Sequence, residues 1–286
     1  MKCYHHNDMD GRAAAAIVLR NNYCLYGDWG APDLEFIEMG YNKEVDIAYI
    51  GKDEEIVIVD FSFKPEVMKK VFKRTRNVTW IDHHKTAEEY DYGCKLKGLR
   101  NFNDKELCGA ELAWFYYFPD RAMPAALKMI GDYDTWRNPK GDSLAFYEGA
   151  KMLDGIEDPR SRIWETLLST AAMIFNIIKS GYTAIKYREA FCENFCKSFG
   201  YEATLDGHKC YVANLFSLGS KTFGKRMGQY EFCCAYVYTG KSYTISLYAE
   251  NGFDVSEIAK AHGGGGHKGA AGMVMSPKEF LSWMGK

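Results

Sequence analysis

Two apolar runs, EIVIVDFS at residues 55–62 and NVTWID at 77–82, restrict the fold more than any other part of the chain. Both are rich in β-branched residues and lack the alternation of a strand with one wet face, so each reads as a strand buried on both sides. Between them, KPEVMKKVFKRT (64–75) has a helical period, with Pro65 near its first turn. Strand, helix and strand in succession predict parallel neighbours joined by a crossover helix. An earlier strand, KCYHH (2–6), stops at the polar turn NDMDG, and the small-residue helix RAAAAIVLRNN follows. In a sheet of this kind the reactive groups lie beyond the carboxyl ends of the strands.

The 286 residues suggest one large or two medium domains. A hydrophobic content of 47%, with 15% aromatics, is ample for a core. The net charge of −2 gives no global basic field for a long nucleic acid, so an anionic ligand must be held locally. Nine scattered cysteines without a CxxC pair fit reduced thiols better than a disulfide framework. The N-terminus turns polar before a secretory core could form, and no apolar run is long enough for a membrane span. A cytoplasmic protein with no membrane association is expected.

Helical stretches continue through GAELAWFYYF and PAALKMIGDYDTW, where an apolar surface within 108–130 offers a contact for a homodimer. One long helix is expected from about Trp164 to Phe199, with Gly181 as a potential break. Beyond it the pattern changes to the strands HKCYVANL, EFCCAYVYTG and SYTISLYAE, the short helix DVSEIAKAH and the block GGGGHKGAAG. The expected organisation is α/β, with a catalytic domain at 1–160, a helical linker at 161–200 and a smaller α/β domain at 201–286.

Four segments end a predicted strand or helix in metal-type ligands. They are HHNDMDG with His6, Asp8 and Asp10, VDFS with Asp60, DHH with Asp82, His83 and His84, and GDYDTW with Asp132 and Asp134. Taken singly, each has an ordinary reading: an aspartate turn before glycine, a helix N-cap or a helix end. Three of the segments follow strands expected to be parallel, which brings them to one edge. So many carboxylates there would repel one another unless a cation neutralises them. Carboxylates with imidazoles and no thiolate suit Mn²⁺, or Mg²⁺, better than structural zinc. There are enough ligands for two ions, the usual device for displacement at phosphorus.

HNDMDG, VDFS, DHH and GDYDTW, in that order and followed by GGGGHKGAAG, resemble the DHH phosphoesterase superfamily with a C-terminal DHHA1 domain. The five blocks span residues 6 to 272, nearly the whole chain. The resemblance implies an N-terminal DHH domain with a mostly parallel sheet flanked by helices, a long linking helix and a DHHA1 domain. It implies one metal on His6, Asp8 and Asp60, and another on Asp10, the bridging Asp60, His83 and the fourth-block aspartate. His84 is then left to contact the scissile phosphate or protonate the leaving oxygen, with Asp82 orienting an imidazole. Many members carry HxNPDxD in the first block; here the proline is missing, and His5 stands beside His6 as an alternative. In the fourth block Asp132, after MIG, is preferred to Asp134.

Consecutive glycines allow close backbone approach to a phosphate or base, and HKGAAG is expected to open a helix. The resemblance implies that Gly265, Gly266 and His267 face the substrate, with Lys268 adding charge. Lys221, Lys225 and Arg226 in GSKTFGKRM are further candidates, although a solvated helix face accounts for them equally well. The block style is similar to that of nanoRNase B-type oligoribonucleases, which implies hydrolysis of short RNA or DNA oligonucleotides. The alternatives are 3′,5′-bisphosphate nucleotides or linear and cyclic dinucleotides as substrates, and a non-catalytic nucleotide sensor.

Overall fold

The structure, a computed structural model, describes residues 1–26, 34–40, 43–101 and 106–285. They divide into two compact units, Met1–Ala184 and Ile185–Lys286. The division falls inside the helix Ile174–Phe199, within the segment 161–200 expected to link two domains.

The first unit is built on a four-stranded parallel sheet of β1 (Lys2–His6), β2 (Glu35–Met39), β3 (Ile56–Val59) and β4 (Val78–Ile81), in the order β2-β1-β3-β4. Alternation of side chains explains why the runs are apolar throughout. Cys3, Val57, Val59 and Ile81 face one core with helix α1 (Met9–Tyr26), α3 (Gly109–Tyr117) and α4 (Ala125–Asp134). Tyr4, Ile56, Ile58, Val78 and Trp80 face another, with Met68 and Val71 of α2 (Pro65–Val71). Truncating such a side chain to Ala costs about 2–5 kcal/mol. The edge strand β2, EFIEM, escapes the pattern because it is only partly buried and carries glutamates.

Register sets the chemistry. His5 pairs with Val59, and Val59 with Ile81, so the next residues, His6, Asp60 and Asp82, form one row beyond the sheet. The turn expected over NDMDG is shorter than anticipated. Asp8 caps α1, its Oδ1 accepting from the Gly11 amide at 2.9 Å, so Asp10 already lies in the first helical turn.

The long helix expected from Trp164 is two helices, α6 (Arg162–Ser169) and α7 (Ile174–Phe199), after α5 (Asp142–Ala150). Thr170 is extended, and its hydroxyl accepts from the Ala172 amide, which diverts the chain between them. Gly181 does not break α7. It lets α7 touch α5, because a Cβ there would lie 1.7 Å from the Ala145 carbonyl oxygen. The apolar surface expected within 108–130 is mostly interior: Gly109 to Trp114 are buried, while Phe115 is exposed.

The second unit has a six-stranded sheet, β5 (Tyr201–Leu205), β6 (His208–Ala213), β7 (Phe232–Tyr238), β8 (Tyr243–Tyr248), β9 (Gly265–His267) and β10 (Ala270–Met275), in the order β5-β6-β7-β8-β10-β9. Only β6 and β7 run parallel. Phe232 and Cys234 pack on one face with α8 (Val255–Ala261) and Phe280 of α9 (Pro277–Trp283), while Cys233 and Ala235 pack on the other. HKGAAG does not open a helix; it turns a hairpin between β9 and β10. The same glycines that suggested an anion-binding turn let the hairpin close, since a Cβ on Gly266 would sit 2.5 Å from Ala271 Cα. Among the described residues no helix is long and apolar enough to cross a membrane.

A Cβ at Gly11 would lie 2.4 Å from the His6 carbonyl oxygen, so α1 meets β1 there with backbone against backbone. Gly11→Ala is expected to lower stability by about 1–3 kcal/mol in urea unfolding. Gly228→Ala, at an open position with nothing within 4 Å, should change stability by less than about 0.5 kcal/mol. Equal effects would contradict the close-approach reading.

Candidate metal centre

The segments that follow β1, β3 and β4 and the last turn of α4 converge on the row beyond the sheet. Asp60 is at its centre, 1% exposed and with φ of +51°, a left-handed conformation that aspartate tolerates better than most residues. Neither of its carboxylate oxygens has a hydrogen-bond partner among the described residues. His83 Nε2 is nevertheless 3.1 Å from Oδ1, and His6 Nδ1 is 3.8 Å from Oδ2. Burial, then the charges of Asp10, Asp8, Asp134 and Asp82, hold the Asp60 carboxyl well above its ordinary range.

Three overlapping ligand groups surround it: His6, Asp8 and Asp60; Asp60, His83 and His84; and Asp10, His83 and Asp134. His6 Nδ1 is 2.5 Å from Asp8 Oδ2, and His83 Nε2 is 3.6 Å from Asp134 Oδ2 and 3.7 Å from Asp10 Oδ2. A buried carboxylate with no hydrogen bond, beside three more acids and three imidazoles, fits a cation and is costly without one. Oxygen and imidazole donors without thiolates match Mn²⁺ or Mg²⁺.

Of the two adjacent histidines, strand alternation settles the placement. His6 faces the cluster, whereas His5 is buried against Phe36 with Nδ1 2.8 Å from the His6 carbonyl oxygen. The fourth block is resolved by helix geometry. α4 runs through Asp134, and residues two apart on a helix point in different directions. Asp134 therefore meets His83, while Asp132 turns to Arg137, with Nε to Oδ1 at 3.0 Å. The preference for Asp132 assumed that the helix ended at Gly131, which it does not. Burial and the nearby Asp10 and Asp8 push Asp134 up to about 8.

Asp82 is held at 0% exposure and serves the two histidines. Its Oδ1 accepts from the backbone amides of His83 at 2.8 Å and His84 at 3.2 Å, and lies 2.7 Å from His84 Nδ1. Its Oδ2 accepts from Ser62 Oγ, which in turn accepts from Trp80 Nε1 at 2.9 Å. Burial opposes ionisation of both partners, yet the hydrogen bond and charge between them lower the Asp82 carboxyl and raise the His84 imidazole. With Nδ1 engaged, His84 has only Nε2 for a ligand or a proton.

Several supporting residues give little sign of their role in the sequence. Asp10 accepts from the amides of Gly109 at 2.7 Å and Ala110 at 2.9 Å, joining the start of α1 to that of α3. A Cβ on Gly109 would lie 2.5 Å from Asp60 Cβ, so glycine there leaves room for the central carboxylate. Arg137 Nη2 reaches Glu111 Oε1 at 2.8 Å, and Glu111 Oε2 accepts from the Cys108 amide at 3.1 Å. These contacts depend on side chains meeting across distant helices, so spacing along the chain carries no sign of them.

In the second unit, Gly265, Gly266, His267 and Lys268 are exposed, and β9 is an edge strand with one side of its backbone unpaired in the sheet. Arg226 is committed elsewhere: it pairs with Glu193 at 2.6 Å and lies over the Tyr211 ring. Lys221 and Lys225 lie in the short 3₁₀ turns on either side of Phe223.

Asp60 and Asp134 both titrate higher in the folded chain than in an unfolded one, from an ordinary value of 3.8. Between roughly pH 4 and 8 these two acids therefore hold more protons in the metal-free fold than in the unfolded chain, and their own contribution to stability falls as pH rises. Mn²⁺ uptake at pH 7 should release protons, read by calorimetry in buffers of different ionisation enthalpy. Uptake without proton release would contradict this electrostatic account.

No family model matches the chain. In sequence it is 24% identical over 295 residues to an uncharacterized protein, R106, of Acanthamoeba polyphaga mimivirus, covering 96% of this chain and 66% of that one. The chain thus spans just under two thirds of that relative's length. In structure it is similar to a pGpG-specific phosphodiesterase, PggH, from Vibrio cholerae, with a TM-score of 0.57 and 11% identity over 98% of this chain and 95% of that one. The DHH domain of a member of a ribosomal-protein family gives 0.60 and 16%, over 99% and 85%. An exonuclease, RecJ, bound to manganese gives 0.51 and 14%, over 99% and 87%. The chain shares the fold of these structures, a DHH domain among them.

Proposed function

We propose that this chain is a divalent-metal-dependent phosphodiesterase that hydrolyses short oligonucleotides to mononucleotides. The observation that carries this reading is the Asp60 carboxylate, buried without a hydrogen bond where the three ligand groups meet. In this reading His6, Asp8 and Asp60 hold one ion, and Asp10, Asp60, His83 and Asp134 hold the other. Such a pair activates water and neutralises charge on phosphoryl oxygens.

The chain's own residues supply the rest. His84, polarised through Asp82, Ser62 and Trp80, carries a proton on Nε2 that it delivers to the departing oxygen. Asp82 holds the imidazole orientation and favours its charged form. Arg137 acts as a positioning residue, tying α4 to α3 through Glu111 so that Asp134 and Asp10 keep their separation. Gly265, Gly266, His267 and Lys268 hold the substrate through the open backbone edge of β9 and a nearby cation.

A short substrate suits a chain with no broad basic field. Likeness to PggH, described as pGpG-specific, makes linear dinucleotides the first to test, ahead of cyclic dinucleotides and 3′,5′-bisphosphate nucleotides. A sensor without catalysis is less favoured, because every ligand position keeps its acid or imidazole.

The test is hydrolysis of 5′-labelled RNA from a dinucleotide upward, with Mn²⁺ or with EDTA. Mn²⁺-dependent conversion of the shortest species to mononucleotides is expected; cleavage only of long strands would contradict the reading. Asp60→Asn should abolish turnover while leaving the circular dichroism spectrum unchanged. His84→Ala should lower kcat by about 10²–10⁴-fold. A change confined to KM would remove His84 from proton transfer.

A further inference from the structure

A cavity of about 440 Å³ opens beside the metal centre, within the first unit alone. It shares Ser62, Asp82 and His84 with the proton-delivering chain, so whatever occupies it touches the His84 end of the site. Its other walls are Val45, Ile47, Phe61, Phe63, Val67 and Tyr90, an apolar and aromatic lining. Lys43, Lys64 and Lys70 stand among the lining residues, opposed by Glu44 and Glu66.

The walls are held by contacts within the first unit. Phe63 is 2% exposed, and its carbonyl accepts from the Tyr92 hydroxyl at 2.6 Å. Phe61 is 8% exposed, with its ring 6.2 Å from that of Phe63. Ser62 is held between Trp80 and Asp82. Lys43 is anchored by its ammonium on the Glu38 carbonyl at 2.7 Å. A rigid apolar slot with a few convergent polar groups is the usual form of a small-molecule site, and the volume lies in the lower part of the ~300–1,000 Å³ such sites span.

We infer that this cavity seats the nucleotide whose sugar oxygen leaves the scissile phosphate, its base among Phe61, Phe63, Ile47 and Val67 and its sugar oxygen at His84. The inference rests on the phosphodiesterase reading and deepens it. It gives the first unit a base-binding role of its own. A planar base matches the apolar walls, and the lysines among the lining residues suit the phosphate that a mononucleotide still carries. One cavity of this size holds one nucleotide, which fits a preference for the shortest substrates.

The probe is AMP, with binding measured by calorimetry in Mn²⁺ and metal uptake followed separately by electron paramagnetic resonance. Val67→Trp and Ile47→Trp, on different segments, fill the cavity from two sides. Each should weaken AMP binding by at least about tenfold while Mn²⁺ uptake is retained. Unchanged AMP affinity in both variants would overturn the inference, as would wild-type protein that takes up Mn²⁺ but no AMP. Failure of the phosphodiesterase reading shows differently, as wild-type protein that binds AMP in a cavity-dependent way yet cleaves no dinucleotide.

Discussion

The burial of the Asp60 carboxyl among other acids constrains the first unit more than any other interaction. Asp8, Asp10 and Asp134 all raise its proton affinity, and the protein gives it no hydrogen bond in return. An acid so placed is unfavourable by several kcal/mol unless it is neutralised. The surroundings nevertheless enforce the placement. The parallel register sets Asp60 level with His6 and Asp82, its backbone takes a left-handed turn, and Gly109 clears space for its side chain. An unpaired acid enforced in this way suits a fold organised around a cation.

The other polar groups follow from that constraint. Asp8 divides its oxygens between a helix cap and the His6 imidazole, and Asp10 divides its own between two amides of α3 and the cluster. Asp82 is the opposite of Asp60: equally buried but bonded at both oxygens, which favours its ionised form and the charged form of His84. Two buried aspartates one strand apart are thus shifted in opposite directions, Asp60 up by burial and the neighbouring acids, Asp82 down by its hydrogen bonds and the charge of His84 in spite of burial. In the proposed function that difference would separate the metal-holding role from the proton-delivering one, as environments separate acid from base in other sites.

Much of this was legible in the sequence because it depends on short periods. Continuous apolar runs revealed β3 and β4, and the acids after them marked the sheet edge. What depends on three-dimensional contact was not legible. β2 is partly buried and acidic, so its pattern is weak. The choice between Asp132 and Asp134 turned on whether α4 continued past Gly131, a matter of packing against Glu111 and Arg137. HKGAAG read equally well as a helix start and as a hairpin, and pairing with β8 decided it. The helix expected from Trp164 broke at Thr170, where a single side chain to backbone bond prevailed over apolar periodicity.

The central claim is that the ligands around Asp60 hold two cations that share its carboxylate. Mn²⁺ titration followed by electron paramagnetic resonance tests it most directly. Two ions per chain, with the spin-coupled spectrum of a carboxylate-bridged pair that disappears in Asp60→Asn, is the predicted result. A single uncoupled ion at saturation, or a coupled pair that survives the substitution, would contradict it.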